Sequence, residues 1–361
     1  MKIHLLTMTA GAALLASLAH AEEVRVYNWS DYIDEELLTK FEEETGIDLI
    51  YDVFDSNELL ETKMLAGGSG YDVVVPTGTF LQRQIAAGSF QKLDKSKLPN
   101  ISNMWDVIAA RTDKYDPGNE YSINYMWGTT GIGVNVDKVT EILGADAPIA
   151  SLDLVFNPEN MEKLASCGVH FLDAPVEVVP AALAYAGLDP DRKDDEALAK
   201  AEEVLMGVRP YIQKFHSSEY LNALANGDIC VAFGWSGDVL IARDRASEAN
   251  NGINIAYNPP VEGALMWFDQ MAIPVDAPNP EAAHVFLNFM MDAQNMAQAS
   301  NYVYYANGNA ASKEFLNEDV IGDTAIYPDD ATLEKLYTTT PFPPAEQRSL
   351  TRMWTKVKSG T

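Results

Sequence analysis

The chain has 361 residues, with 25 Lys and Arg against 53 Asp and Glu, a formal net charge of −28. So acidic a surface excludes nucleic acid and anionic membranes as partners, which bind through Lys and Arg patches, and it draws cationic ligands in by steering. Five His without HExxH and two Cys without CxxC exclude the common metal motifs, and no cofactor is expected.

Residues 1–21 run from Lys2 through an apolar middle to Ala19-His20-Ala21. That is the pattern of a secretory signal peptide cleaved after Ala21, too short and wrongly flanked for a membrane span. Its removal takes one Lys and no acid, leaving 340 residues and 24 minus 53, or −29 charges. No Cys stands at the cleavage site to carry a lipid, so a free soluble protein of a bacterial periplasm is expected. A chain of this length exceeds one ordinary core, and two domains follow.

Residues 24–29 (VRVYNW) read as a first strand, and 37–44 as a helix closed by Gly46. A second strand at 48–54 leads to a helix with Asp55 as N-cap and Glu58 three residues on. A third strand at 71–75 precedes a helix at 80–87. Strand and helix alternate, which predicts a largely parallel α/β sheet. Residues 122–136 (SINYMWGTTGIGVNV) form a β-rich run interrupted by three Gly, suited to a crossover between domains or a bulged strand. Neither this run nor Gly67-Gly68-Ser69-Gly70 has the spacing of a nucleotide-binding loop.

A second α/β series follows, with a helix at 160–167, a strand at 169–172 and helices at 178–186, 194–208 and 218–225. Cys167 and Cys230 suit either one disulfide closing a long loop or two buried thiols. Residues 253–257 and 264–275 bring the chain back towards the first domain. One Met-rich helix is expected over 278–299, its Met filling core, then helices at 334–337 and 346–358. No repeat or low-complexity linker is present.

The run Phe233-Gly234-Trp235-Ser236-Gly237-Asp238-Val239 ends a buried strand at 229–235, with Ser236 placed to cap a helix starting near Asp238. An indole plane and a carboxylate at a strand's carboxyl end suit a cation with a hydrocarbon body. Two other places repeat the pairing, and further candidates stand where a strand ends or turns: Trp29-Ser30-Asp31-Tyr32, Thr77 and Thr79, Asp173 to Glu177, Trp267-Phe268-Asp269 and Tyr304-Tyr305. Trp267 and Asp269 share one face of their strand. A carboxylate within so apolar a strand calls for a cation, since burying it unpaired costs several kcal/mol.

The blocks Asn28 to Ile33, Tyr71 to Pro76, Trp127 to Gly133, Phe171 to Pro175, Asn226 to Val231, Gly234 to Val239 and Tyr305 to Asn307 resemble, in this order, the periplasmic polyamine-binding proteins of ABC importers. The resemblance covers essentially the whole mature chain. It implies an α/β, two-lobed periplasmic solute-binding fold of type II, with hinged lobes and mixed, largely parallel sheets. The lobes are expected at 22–132 with 262–310, and at 133–261 with 311–361. A polyamine, spermidine or putrescine, would lie between them and pass to the inner-membrane permease subunits of an ABC importer. The protein would be a monomer and not an enzyme.

By that resemblance Trp29 and Tyr32 wall the cleft, Ser30 and Thr77 meet an amine, Glu177, Asp238 and Asp269 supply carboxylates, and Trp235, Trp267 and Tyr305 pack on the aliphatic chain. Asp31 is a further candidate, and a Cys167–Cys230 disulfide is favoured. Trp267 stands where putrescine-type relatives tend to carry Phe, and Thr77 and Thr79 replace expected Ser, which tilts the ligand towards spermidine. Two other classes use the same residues. One is a ligand-loaded sensor docking on a receptor. The other is a secreted hydrolase with Glu177 and Asp238 or Asp269 as an acid/base pair.

Overall fold

A computed structural model describes residues 22–361, so the leader lies outside the described residues. The strands are β1 (Glu23–Trp29), β2 (Asp48–Phe54), β3 (Val73–Val74), β4 (Ser122–Asn135), β5 (Val169–Phe171), β6 (Lys214–Phe215), β7 (Val231–Trp235), β8 (Ile255–Asn258), β9 (Leu265–Ala272) and β10 (Ala306–Asn307). They form one sheet in the order β2-β1-β3-β9-β4-β7-β5-β6, with β8 and β10 also paired to β4. The flanks are parallel, β1 with β2 and β3, β5 with β6 and β7. Every antiparallel pair involves β4 or β9.

β4 explains this division. Its 14 residues are all buried. Residues 122–130 pair with β9 and residues 130–134 with β7. The sequence places a glycine where a neighbour presses on the strand. A Cβ at Gly128 would lie 2.7 Å from the Trp267 ring, so the missing side chain makes room for an aromatic wall and the strand runs on unbroken.

The core is divided likewise. One apolar cluster surrounds β5 and β7 and takes in Val178, Leu205, Leu240 and Trp354 from four helices. Another surrounds β1 and β9 with Leu37, Phe286 and Val303. A smaller third cluster lies under the helices Asn57–Ala66 and Gly78–Ala86, through Leu60, Met64 and Leu81. β4 feeds two of them, Ile123 and Tyr125 entering the β1 cluster, Ile132 and Val134 the β5 cluster. Cys167 and Cys230 are joined in a disulfide, with Cα atoms 5.5 Å apart.

Several local expectations differ from what forms. Ser56, not Asp55, caps Asn57–Ala66, because its hydroxyl accepts from Leu59 N. The stretch expected as one Met-rich helix is two, Pro280–Met290 and Ala293–Val303, since Asp292 adopts an extended backbone and caps the second. Residues 334–337 are not helical: Tyr337 bridges Leu265 on β9. The helix Pro175–Tyr185 begins three residues before the expected 178, with Pro175 at its first turn where a missing N–H costs nothing.

Candidate functional site

All eleven side chains picked from the sequence, Trp29, Ser30, Asp31, Tyr32, Thr77, Glu177, Trp235, Asp238, Trp267, Asp269 and Tyr305, line one cavity with about 570 Å³ of space free of protein atoms. Nine arrive from an element end or turn, and Trp267 and Asp269 from within β9. β1 ends at Trp29, whose indole N–H donates to Val75 O at 2.9 Å. The chain then turns through Asp31 at a left-handed φ of 53°. The early start of Pro175–Tyr185 puts Glu177 in a first helical turn. Asp238 is likewise in the first turn of Ser236–Glu248. Helix dipoles there favour their charged forms. Ser236 does not cap this helix as expected; it is the first helical residue and its hydroxyl accepts from Thr129 N at 3.3 Å, tying the turn to β4.

The three inner carboxylates are held by hydroxyl groups. Asp269 accepts from Tyr32 at 2.8 Å and from Thr77 at 2.7 Å. Thr77 stands before the helix Gly78–Ala86 but makes no capping bond, and Asn57 Nδ2 donates to its oxygen at 2.9 Å. Asp238 accepts from Tyr220 at 2.7 Å and from Tyr305 at 2.9 Å. Glu177 accepts from the Thr130 hydroxyl. Burial is the main force on all three. Loss of hydration pushes Glu177 and Asp269 up to about 7 and Asp238 up to about 6, against the opposing pull of those hydroxyls. Asp31 differs: it is exposed and ion-paired with Arg245 at 2.7 Å.

Aromatic planes fill the gaps between the acids. Trp29 meets Trp235 edge-on with centroids 5.7 Å apart, and Tyr305 packs against Trp267 at 5.2 Å and Tyr32 at 5.3 Å. Carboxylates alternating with ring faces make a slot for cationic groups spaced along a hydrocarbon chain. Thr79 lines a smaller neighbouring cavity instead.

Six lining residues escaped the sequence reading: Phe54, Asp55, Asn57, Ser217, Ser218 and Leu221. So did Tyr220, which does not line the slot but bonds both Asp238 and Trp235 N. The buried Asn57 after an N-cap Ser was a usable signal, since a polar side chain on a core face needs partners. Among the described residues no group of three or more His, Cys, Asp or Glu could hold a metal ion, and no helix is long and apolar enough to cross a membrane.

A family profile described as bacterial extracellular solute-binding protein matches residues 36–329. The chain is 52% identical over 355 residues to the putrescine-binding periplasmic protein SpuD of Pseudomonas aeruginosa, covering 98% of this chain and 97% of that one. It is 49% identical over 358 residues to the putrescine-binding periplasmic protein PotF of Escherichia coli, covering 98% and 97%. Among solved structures, a putative spermidine/putrescine ABC transporter protein from Listeria monocytogenes matches with a TM-score of 0.83 at 31% identity, covering 93% of this chain and 99% of that one. The chain belongs to the bacterial extracellular solute-binding proteins and has their two-lobed, type II periplasmic binding fold.

Proposed function

We propose that this protein binds a polyamine, putrescine or a longer homologue, and delivers it in the periplasm to the permease subunits of an ABC importer. The observation that carries this reading is the set of three inner carboxylates, Glu177, Asp238 and Asp269, whose hydrogen bonds come from hydroxyls rather than from a Lys or Arg. Such groups are costly in a ligand-free site and favourable once a cation enters. The named ligands of the relatives, putrescine above all, have this chemistry.

The lobes would be 22–132 with 262–310 and 133–261 with 311–361, closing on the ligand, so that contacts to both lobes stabilise the closed form. Each charge-assisted hydrogen bond would contribute about 1.5–3 kcal/mol and each cation–π contact about 0.5–2. Ordering and desolvating the amine offsets much of that, leaving a dissociation constant near micromolar or tighter, about −8 kcal/mol. Membership of a solute-binding family supports carriage rather than turnover by Glu177 and its neighbours.

The test is calorimetric titration of refolded, ligand-stripped protein with putrescine. Asp238→Ala and Asp269→Ala should each weaken binding at least tenfold. Unchanged affinity in both would remove these residues from the site.

A further inference from the structure

Tyr32 holds Asp269 from a stretch with no regular structure of its own. It lies in the turn between β1 and the helix Glu35–Thr45, directly after Asp31 with its left-handed backbone. Such a turn stands outside the sheet's ladder, yet the Tyr32 phenol sits 2.8 Å from the Asp269 carboxylate. What fixes it comes from β4. The register of β4 against β9 shifts so that Asn124 faces Gln270 and Met126 faces Asp269, with Tyr125 extra between them. A bulge of this kind re-aims the side chain it carries. Here the buried Tyr125 ring meets Tyr32 edge-on at 5.4 Å, and its hydroxyl donates to Tyr32 O at 2.6 Å. Asn124 serves the other partner: its Nδ2 donates to Met126 O across the bulge and to Asp269 O, both at 3.1 Å. Gly308 leaves room for that side chain, since a Cβ there would collide with Asn124 Oδ1.

We infer that the β4 bulge at Asn124–Met126 sets the geometry in which Tyr32 and Asp269 meet the amine, with Tyr125 as a positioning residue that acts through Tyr32. This rests on the polyamine reading above. The bulge reaches both members of the pair from one strand, Tyr125 through the backbone of Tyr32 and Asn124 through the backbone of Asp269. Tyr125 lines neither the slot nor the cavity beside it, so its effect on a ligand passes through Tyr32. Without the Tyr125 hydroxyl, Tyr32 O loses its donor, the turn relaxes and the phenol drifts from Asp269. Asp269 then keeps the Thr77 hydroxyl alone and holds its proton more tightly. Recognition is thereby set from the strand that runs through both halves, since β4 pairs with β9 at one end and β7 at the other.

The experiment is a double-mutant cycle read by calorimetric titration of ligand-stripped protein with putrescine. It compares the wild type, Tyr125→Phe, Tyr32→Phe and the double variant. Tyr125→Phe with Tyr220→Phe is the reference pair, because Tyr220 serves Asp238 and not Asp269. Tyr125→Phe should weaken binding about three- to tenfold, the worth of one buried hydrogen bond. Added to Tyr32→Phe it should change affinity by less than about twofold, whereas its loss and that of Tyr220→Phe should multiply. The factor by which affinity falls from pH 8 to pH 5.5 should be larger in Tyr125→Phe than in the wild type, because Asp269 gives up its proton less readily. A general loss of structure would multiply in both pairs and leave that factor unchanged. A misfolded fraction lowers the stoichiometry and not the constant. If Tyr125→Phe does not fold, Asn124→Ser opens the bulge from its other side and should weaken binding to a similar extent. Unchanged affinity in Tyr125→Phe or in Asn124→Ser overturns the inference, as do losses that multiply with Tyr32→Phe or an unchanged pH factor. Wild-type protein that binds no putrescine overturns the proposed function instead.

Discussion

At Asp269 two hydroxyls, from Tyr32 and Thr77, stand where a buried ion pair would have a Lys or Arg. A hydroxyl satisfies a lone pair but leaves the charge uncompensated, and burial therefore raises the carboxyl to about 7. The consequence for stability has a definite sign. In the folded, ligand-free protein Glu177, Asp238 and Asp269 hold protons that the unfolded chain releases at ordinary carboxyl values. Their contribution is fully present below about pH 4 and is lost as pH rises through about 6 and 7. A bound dication removes that loss. Saturating putrescine should therefore raise the melting temperature more at pH 7.5 than at pH 5, and a larger rise at pH 5 would contradict the assignment. Tyr220→Phe removes the donor to Asp238 and the acceptor of Trp235 N. It should weaken putrescine binding about five- to tenfold, roughly 1 kcal/mol, as read by titration.

The turn from β7 into the helix Ser236–Glu248 packs so closely that Gly237 admits no side chain. A Cβ there would lie 2.3 Å from the Tyr305 ring. Gly237→Ala should push Tyr305 off Asp238, costing about 1–3 kcal/mol of stability and most of the amine affinity. A variant with wild-type binding would show that the ring is not fixed by this contact. The disulfide acts on another element, closing a 63-residue separation between the start of β5 and the start of β7. Replacing both Cys with Ser should cost about 4 kcal/mol in urea unfolding, on the chain-entropy account. A loss under 1 kcal/mol would argue against that account.

Much of this was legible in local sequence. Residues 229–235 declare a buried strand, and Trp235 with Asp238 declares an aromatic–acid pair, because both signals lie within one turn of chain. Trp267 and Asp269 follow from the period of a strand. What was missed depends on neighbours distant in sequence. Asp55 reads as a cap until Ser56 is seen to win that role, and Ser217 and Ser218 reach the slot only by the packing of β6 and the helix behind it. Gly128, Gly131 and Gly133 suited a crossover or a bulge, and β4 does pass between the two large cores, with a register shift between Asn124 and Met126; that the glycines admit bulky partners against the strand depended on distant neighbours.

For the whole molecule, one sheet with two large cores places the slot between halves that share β4 and β9. Asp31, beyond β1, is tied at 2.7 Å to Arg245 on a helix of the other core, so polar contact already spans the cleft. The net charge of −28 adds a long-range attraction for amines that salt would weaken. The central claim is that a cationic ligand compensates the inner carboxylates. It is tested most directly by titrating ligand-stripped protein with putrescine at pH 8 and at pH 5.5. We expect a dissociation constant of about micromolar or tighter at pH 8. At pH 5.5 it should weaken at least tenfold, because Glu177 and Asp269, near 7, and Asp238, near 6, must give up protons to bind. Equal affinity at the two pH values, or no heat at pH 8 from folded protein, would contradict the account.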